Sequence, residues 1–190
     1  IGDRMQRLDS GERMRLLISV GGAGAQKKFI ERLLTTIQND TSVQKKYVPI
    51  INCGDHADFF AAMQKSLSGK QIRICKTMAE VQNLPAILED YDAVLFTFAN
   101  HFDAVYATDF ATTYCDILTT KPSELAFYPV PKLLVRRMGD HEGYSADYAS
   151  QLKEATPERR SVEAAFEDLR RWAADPSDLK NMNEAIEANY

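Results

Sequence analysis

Residues 16–20, Leu-Leu-Ile-Ser-Val, form a mainly apolar run that ends on Gly21, Gly22 and Gly24. A short apolar run of this kind reads as a strand buried on both faces. A helical pattern opens directly after the glycines, with Phe29, Ile30, Leu33, Leu34 and Ile37 on one face. Strand, glycine-rich turn and helix together begin a nucleotide-binding α/β unit. Glycines let the backbone approach a phosphate closely, and the helix N-terminus offers it free N–H groups and a positive dipole end. The same turn also occurs in α/β domains that need glycine only for tight chain reversal. The dinucleotide fingerprint is incomplete. Lys27 stands where a third glycine belongs, and Asn52-Cys53 occupies the end of the second strand in place of a ribose-binding acid. No Gly-Lys-Ser/Thr follows, so the P-loop is absent. The turn therefore specifies phosphate more than NAD or ATP.

The rest of the chain repeats the alternation. Residues 47–53, 71–75, 92–98, 116–120 and 132–136 read as further strands. Pro49 places the second near a sheet edge or at a bulge. Helices are expected after Asp55, over 78–88 with a break at Pro85, over 100–114, briefly from Ser123 to Tyr128, and over 144–154. Thr156-Pro157-Glu158 reads as another helix start, and Asp175-Pro176-Ser177 as the start of the last. This order predicts an α/β, Rossmann-like fold: a mostly parallel sheet, helices on both faces and a helical C-terminal tail. Residues 1–14 read as a polar linker, and residues 15–190 as a single domain, the C-terminal half of a longer protein. The length of 190 residues and the apolar fraction of 45% suit one ordinary core.

Other classes fall away on composition. A net charge of −4 advertises no nucleic-acid partner. No apolar run approaches the roughly 20 residues that span a bilayer. Cys53, Cys75 and Cys115 are widely spaced, without metal-ligand spacing, and read as buried free thiols in a reducing cytoplasm. No close His-x-x-x-His pair supports a built-in metal site, and no Gly-x-Ser-x-Gly elbow supports a serine hydrolase.

In a parallel sheet, ligands bind beyond the C-terminal strand ends. Two polar clusters fall there: Thr119, Thr120, Lys121, Ser123 and Glu124, then Arg136, Arg137, Asp140, His141 and Glu142. A lysine or arginine beside a helix start suits a diphosphate. Glu124 could accept ribose hydroxyls, or simply complement a helix dipole. His101 and His141 are candidates for acid–base work or for a hydrogen-bonded turn.

Two of these stretches resemble a known family. Leu17-Ile-Ser-Val-Gly-Gly-Ala-Gly-Ala25 resembles the glycine loop opening the C-terminal domain of GT-B glycosyltransferases. The nearest group is that of the peptidoglycan N-acetylglucosaminyltransferase and the monogalactosyldiacylglycerol synthases. Cys115-Asp-Ile-Leu-Thr-Thr-Lys-Pro-Ser-Glu124 is similar to their Ala-Asp-(apolar)-(apolar)-x-x-Lys/Arg-x-Gly segment, and Val130-Pro-Lys-Leu-Leu-Val135 resembles the strand that follows. The resemblance implies a donor domain for a nucleotide sugar, commonly a UDP-sugar. Gly21, Gly22, Ala23 and Gly24 would line the diphosphate, with Lys121 and Ser123 beside it, Glu124 on the ribose, and His141 and Glu142 toward the sugar. It implies no metal and no cofactor apart from that substrate, and catalysis in partnership with an N-terminal acceptor-binding domain. The location expected is cytoplasmic, with peripheral membrane association left open. The chain departs from the family at Pro122-Ser123, where a glycine turn is shortened. It departs again at residues 70–91, an added strand–helix pair, and at Gly139-Asp-His-Glu-Gly143. Two alternatives follow: a nucleotide-sugar epimerase of the same architecture, with Asp140 and Glu142 as its carboxylates, or a scaffold domain that has lost the donor.

Overall fold

A computed structural model of the chain describes residues 1–19 and 26–190, the side chains of Glu124 and His141 excepted. The strands are β1 (Met14–Ile18), β2 (Tyr47–Asn52), β3 (Ile72–Cys75), β4 (Ala93–Phe96), β5 (Ile117–Thr120) and β6 (Lys132–Leu134). They form one sheet in the order β3-β4-β2-β1-β5-β6, and every pairing in it is parallel. Such a sheet must be covered on both faces. One cover consists of α2 (Lys27–Asn39), the short α3 (Thr41–Gln44), α4 (Ala57–Ser66) and α9 (Val162–Ala174), whose Leu33, Leu34, Phe59, Leu169 and Trp172 are wholly buried. The other consists of α5 (Met78–Val81), α6 (Leu84–Asp90) and α7 (His101–Thr112), packed on Leu17, Ile50, Phe96 and Leu118. The fold is thus the α/β, Rossmann-like one expected, with α8 (Gly143–Gln151), α9 and α10 (Ser177–Asn189) as its helical C-terminal part.

β3 and its two short helices occupy the extra slot expected for residues 70–91. β3 sits outside β4 at the sheet edge, and β4 returns to pair with β2. Without β3, the order has β1 in the middle, earlier strands to one side and later strands to the other. Pro85 falls at the first turn of α6, where its missing N–H costs nothing.

Four local expectations need correction. Residues 2–10 are not a linker but a helix, α1 (Gly2–Ser10), whose Leu8 and Arg4 are buried. The polar composition concealed this because arginines do the docking. Arg4 Nε donates to the Cys115 carbonyl at 2.9 Å and Arg4 Nη1 to Asn183 Oδ1 at 2.8 Å, while Arg7 grips buried Asp116 at 2.9 Å. Pro49 lies in an interior strand. It is tolerated because β4 pairs with β2 only from Ile50 onward, so Pro49 faces no ladder on that side. Thr156-Pro157-Glu158 starts no helix. Residues 155–159 run extended beside β6, with Arg159 N donating to Leu134 O at 2.7 Å and Thr156 Oγ1 accepting from Leu134 N at 3.1 Å. The helix begins only after Ser161, which caps it at Ala164 N. Finally, His56 rather than Asp55 takes the N-cap position of α4, without a side-chain bond.

The buried polar groups are mostly paired. Lys132 on β6 bonds Glu154 at 3.0 Å with both side chains sealed from solvent, and Asn189 Nδ2 supplies Glu154 with a second donor at 3.0 Å. Burial holds the Lys132 ammonium below its ordinary pKa, against the pull of Glu154. Cys53 and Cys115 are pushed up to about 12 and Cys75 to about 11, each by burial first, so these thiols are inert.

Candidate active site

The strand order reverses direction beside β1. The chain leaves β1 through α2 toward β2, and it comes back from β4 through α7 to β5 on the opposite side of β1. The crevice at such a switch point, beyond the carboxyl ends of the strands, is where doubly wound sheets hold ligands. Ser19, just past β1, and the end of β5 border it, tied together by Ser19 N donating to Thr119 O at 3.1 Å.

A cavity of about 170 Å3 opens at this end, between the tips of β1 and β2, the first half of α7 and the short 3-10 turn Glu124–Phe127. Its floor is a closed hydrogen-bond network. Asn52 Nδ2 donates to the Ala104 carbonyl at 2.7 Å and to Thr108 Oγ1 at 2.8 Å. Asn52 Oδ1 accepts from Gly54 N at 3.0 Å, and Thr108 Oγ1 meets Ser19 Oγ at 3.1 Å. Three separate pieces of chain are thereby fixed to one another. Gly54 adopts φ 58°, the left-handed region, while a Cβ there would meet only ordinary contacts; conformation rather than space calls for glycine. The walls are apolar, from Val105 and Leu125. Tyr128 closes one side, its hydroxyl donating to the Asp109 carboxylate. His56 and His101 stand at the rim. His56 lies 3.5 Å from Asp55, and exposed His101 opens α7 next to Asn100, whose side chain caps that helix at Asp103 N (3.0 Å).

The residues proposed from sequence are distributed as follows. Gly21, Gly22, Ala23 and Gly24 fall in the segment outside the described residues. The backbones of Glu124 and His141 lie in 3-10 turns on the crevice side, and their side chains are likewise outside the description. Ser123 precedes the first of these turns, its hydroxyl donating to the Lys121 carbonyl at 3.4 Å. Lys121 and Glu142 are brought together, but onto each other: the Lys121 ammonium ion-pairs with Glu142 Oε1. Glu142 Oε2 accepts from Met138 N at 2.8 Å, so both carboxylate oxygens are engaged. Burial alone would raise the Glu142 pKa, but Lys121 and the Met138 and Gly139 amides outweigh it and hold it below the ordinary carboxylate value. The pair fastens residues 136–142 to the end of β5. Asp140 is fully exposed and lies 3.7 Å from Arg137.

Several residues of the crevice were not singled out from sequence. Asn52 was noted only as a missing acid, yet a buried amide at a strand tip is itself a signal, because it must be satisfied by neighbours. Ala104 and Thr108 lie four apart and so share a helix face. Gln26, buried just after the glycine segment, donates to the Arg136 carbonyl and joins the start of α2 to the end of β6. Among the described residues no group of three or more His, Cys, Asp or Glu could hold a metal ion.

Sheet order and the crevice at the switch point together define a doubly wound α/β fold. Within that class the chain belongs to the DUF6938 family, described as a domain of unknown function, which it matches over residues 1–190. No curated protein matches it. Among solved structures it is similar to S. aureus MnaA in a co-structure with UDP, at a TM-score of 0.57 and 11% identity. The likeness covers 95% of this chain and 41% of that one, and at this identity it speaks for the fold. No helix among the described residues is long and apolar enough to cross a membrane.

Proposed function

We propose that the switch-point crevice binds a nucleotide sugar, with UDP as its nucleotide, and that the chain is the donor-binding part of a hexosyl-transferring enzyme. The observation that carries this reading is one juxtaposition. The ends of β1 at Ser19 and of β5 at Thr120, the latter continuing into the Lys121–Glu124 turn, flank the reversal of strand order, next to a cavity with apolar walls and a hydrogen-bonded polar floor. The UDP in the MnaA co-structure, on a similar fold, supports the same assignment.

In this arrangement the base enters the cavity against Val105 and Leu125. The ribose hydroxyls meet Glu124. The diphosphate lies over residues 21–24 at the N-terminal end of α2, where backbone N–H groups and the helix dipole favour negative charge. Backbone donors at a helix start stabilise a diphosphate as charge grows on it during cleavage of the glycosidic bond. Lys121 and Glu142 act one step removed, holding residues 136–142 in place instead of touching the sugar. This also weakens the epimerase alternative, since its two carboxylates would be a committed Glu142 and a solvent-facing Asp140. An N-terminal acceptor domain would supply the base that deprotonates the acceptor.

Calorimetric titration with UDP, and with GDP, ADP and NAD for comparison, tests the reading. UDP is expected to bind selectively. Glu124→Ala should weaken it by about 1–3 kcal/mol, the cost of leaving polar partners unpaired. Preference for NAD, or UDP binding indifferent to Glu124→Ala, would refute it.

A further inference from the structure

A second feature lies on the other side of Arg136. A groove of about 470 Å3 opens between the first turns of α2, the start of α9 and the exit of β6. Five cations line it: Lys28 and Arg32 from α2, Arg136 and Arg137 after β6, and Arg160 before α9. This is a dense cationic cluster in a chain whose net charge is −4. The carboxylates present do not neutralise it. Arg32 meets Glu163 at 2.9 Å, Arg137 lies 3.7 Å from both Asp140 and Glu158, and Arg160 shares Glu158 at 3.5 Å. Among the described residues, Lys28 and Arg136 have no ion-pair partner. The Arg32–Glu163 pair is well exposed on both sides, so it holds little free energy against exchange with a better anion.

The helix start sharpens the point. The first turn of α2 carries no acid but two lysines, Lys27 and Lys28, at the positive end of the dipole. The helix end itself is assigned above to the nucleotide diphosphate, so Lys28 enters here only as a cation that lines the groove. Lys27 has its own carboxylate, Asp58 at 3.3 Å on α4; Lys28 faces the groove without one.

We propose that this groove is an anion site separate from the switch-point crevice, taking a small ligand with two or more phosphoryl groups. Cations from three chain segments surround one cavity, so a ligand with several charged centres engages more of them than a single carboxylate can. Arginine forks and a lysine point charge both suit phosphoryl oxygens. The cavity is of small-molecule size, and a net-negative protein repels long polyanions, which favours a compact ligand over nucleic acid. Free oligophosphate and the phosphate tail of a nucleotide share this chemistry.

The test is calorimetric titration of the 190-residue chain with inorganic tripolyphosphate, alone and saturated with UDP, and with ATP as the second source. One-to-one binding that survives UDP saturation is expected. ATP binding as tightly assigns the nucleotide tail; tripolyphosphate binding alone assigns the free ion; either supports the site. The double change Lys28→Gln with Arg160→Gln should weaken binding at least tenfold and leave UDP affinity unchanged. Arg170→Gln, about two turns along α9 from Glu163 and outside the groove, where Arg170 pairs with Glu167, should have no effect. No binding, equal weakening by Arg170→Gln, displacement by UDP, or binding of a short oligonucleotide in place of tripolyphosphate would each overturn the proposal. If UDP does not bind the chain at all, the two variants still decide this site independently of the crevice.

Discussion

Asn52 allows the crevice to be tested through its floor. Asn52→Ala removes three hydrogen bonds at 2.7, 2.8 and 3.0 Å from a side chain only 9% exposed overall. Each such bond is worth about 0.5–1.5 kcal/mol net, so the change should cost about 2–4 kcal/mol. For a chain of this length the unfolding entropy is about 0.4 kcal/mol/K, and the thermal midpoint should fall by about 5–10 °C. The Gly54 turn loses its anchor to α7 at the same time, which frees the cavity floor. UDP affinity, measured by calorimetry well below the new midpoint, should therefore drop several-fold. Asn52→Asp is the sharper companion. It keeps the acceptor for Gly54 N but sets a second oxygen against the Ala104 carbonyl, and should be at least as damaging as alanine. Urea unfolding gives the stability, and titration of the folded variant gives the affinity. A loss below about 0.5 kcal/mol would refute the claim that this amide holds the strand tips together. Full stability loss with unchanged affinity would refute its coupling to the ligand.

Three further outcomes follow. Lys132→Met leaves Glu154 buried without its cation and should cost about 3–5 kcal/mol in chemical denaturation, while Lys132→Met with Glu154→Leu should recover most of that, because the apolar pair has no charge to desolvate. The Glu142 carboxyl has a folded pKa below its unfolded value near 4.5, so its contribution is complete above that pH and is lost as pH falls through the folded value. The protection of the Met138 amide against exchange, measured relative to the free-peptide rate at each pH, should fall as pH drops below about 4.5 and through the lower folded value in the wild type, and be already lost at neutral pH in Glu142→Ala. Arg4→Leu removes donors to Cys115 O and Asn183 Oδ1, and should loosen α1 with a loss of about 1–3 kcal/mol by urea unfolding.

The sheet was legible because its strands are short apolar runs set between glycines and caps, a pattern that survives without any tertiary information. Residues 16–18, 50–51 and 93–96 are each at or near zero exposure, as continuous apolar runs imply. What escaped was structure held by polar long-range contacts. The docking of α1 depends on Arg4 and Arg7 reaching residues more than a hundred positions away, and no local pattern encodes that. The 155–159 segment has the residues of a helix start, but its backbone donors and acceptors are taken by β6. At the crevice, sequence placed the polar turns correctly at the strand ends, as parallel topology requires. It could not tell that Lys121 and Glu142 would neutralise each other, because their partnership spans 21 residues and a chain reversal. Nor could it find the Asn52–Thr108–Ser19 network, which exists only once two strand tips and the first half of α7 converge.

The clasp between α1 and α10 also bears on how the molecule responds to load. Asp9 lies 2.6 Å from Lys180, Arg4 reaches Asn183, and Ile1 and Tyr190 border the same hollow. A tension applied through the two ends therefore falls first on these polar contacts between terminal helices, which separate one after another, as in unzipping. The hydrogen-bonded sheet feels the pull only afterwards. The central strands that border the crevice are thus mechanically shielded, and tethering either end to a surface or to another polypeptide leaves the C-terminal tips of β1 and β5 undisturbed.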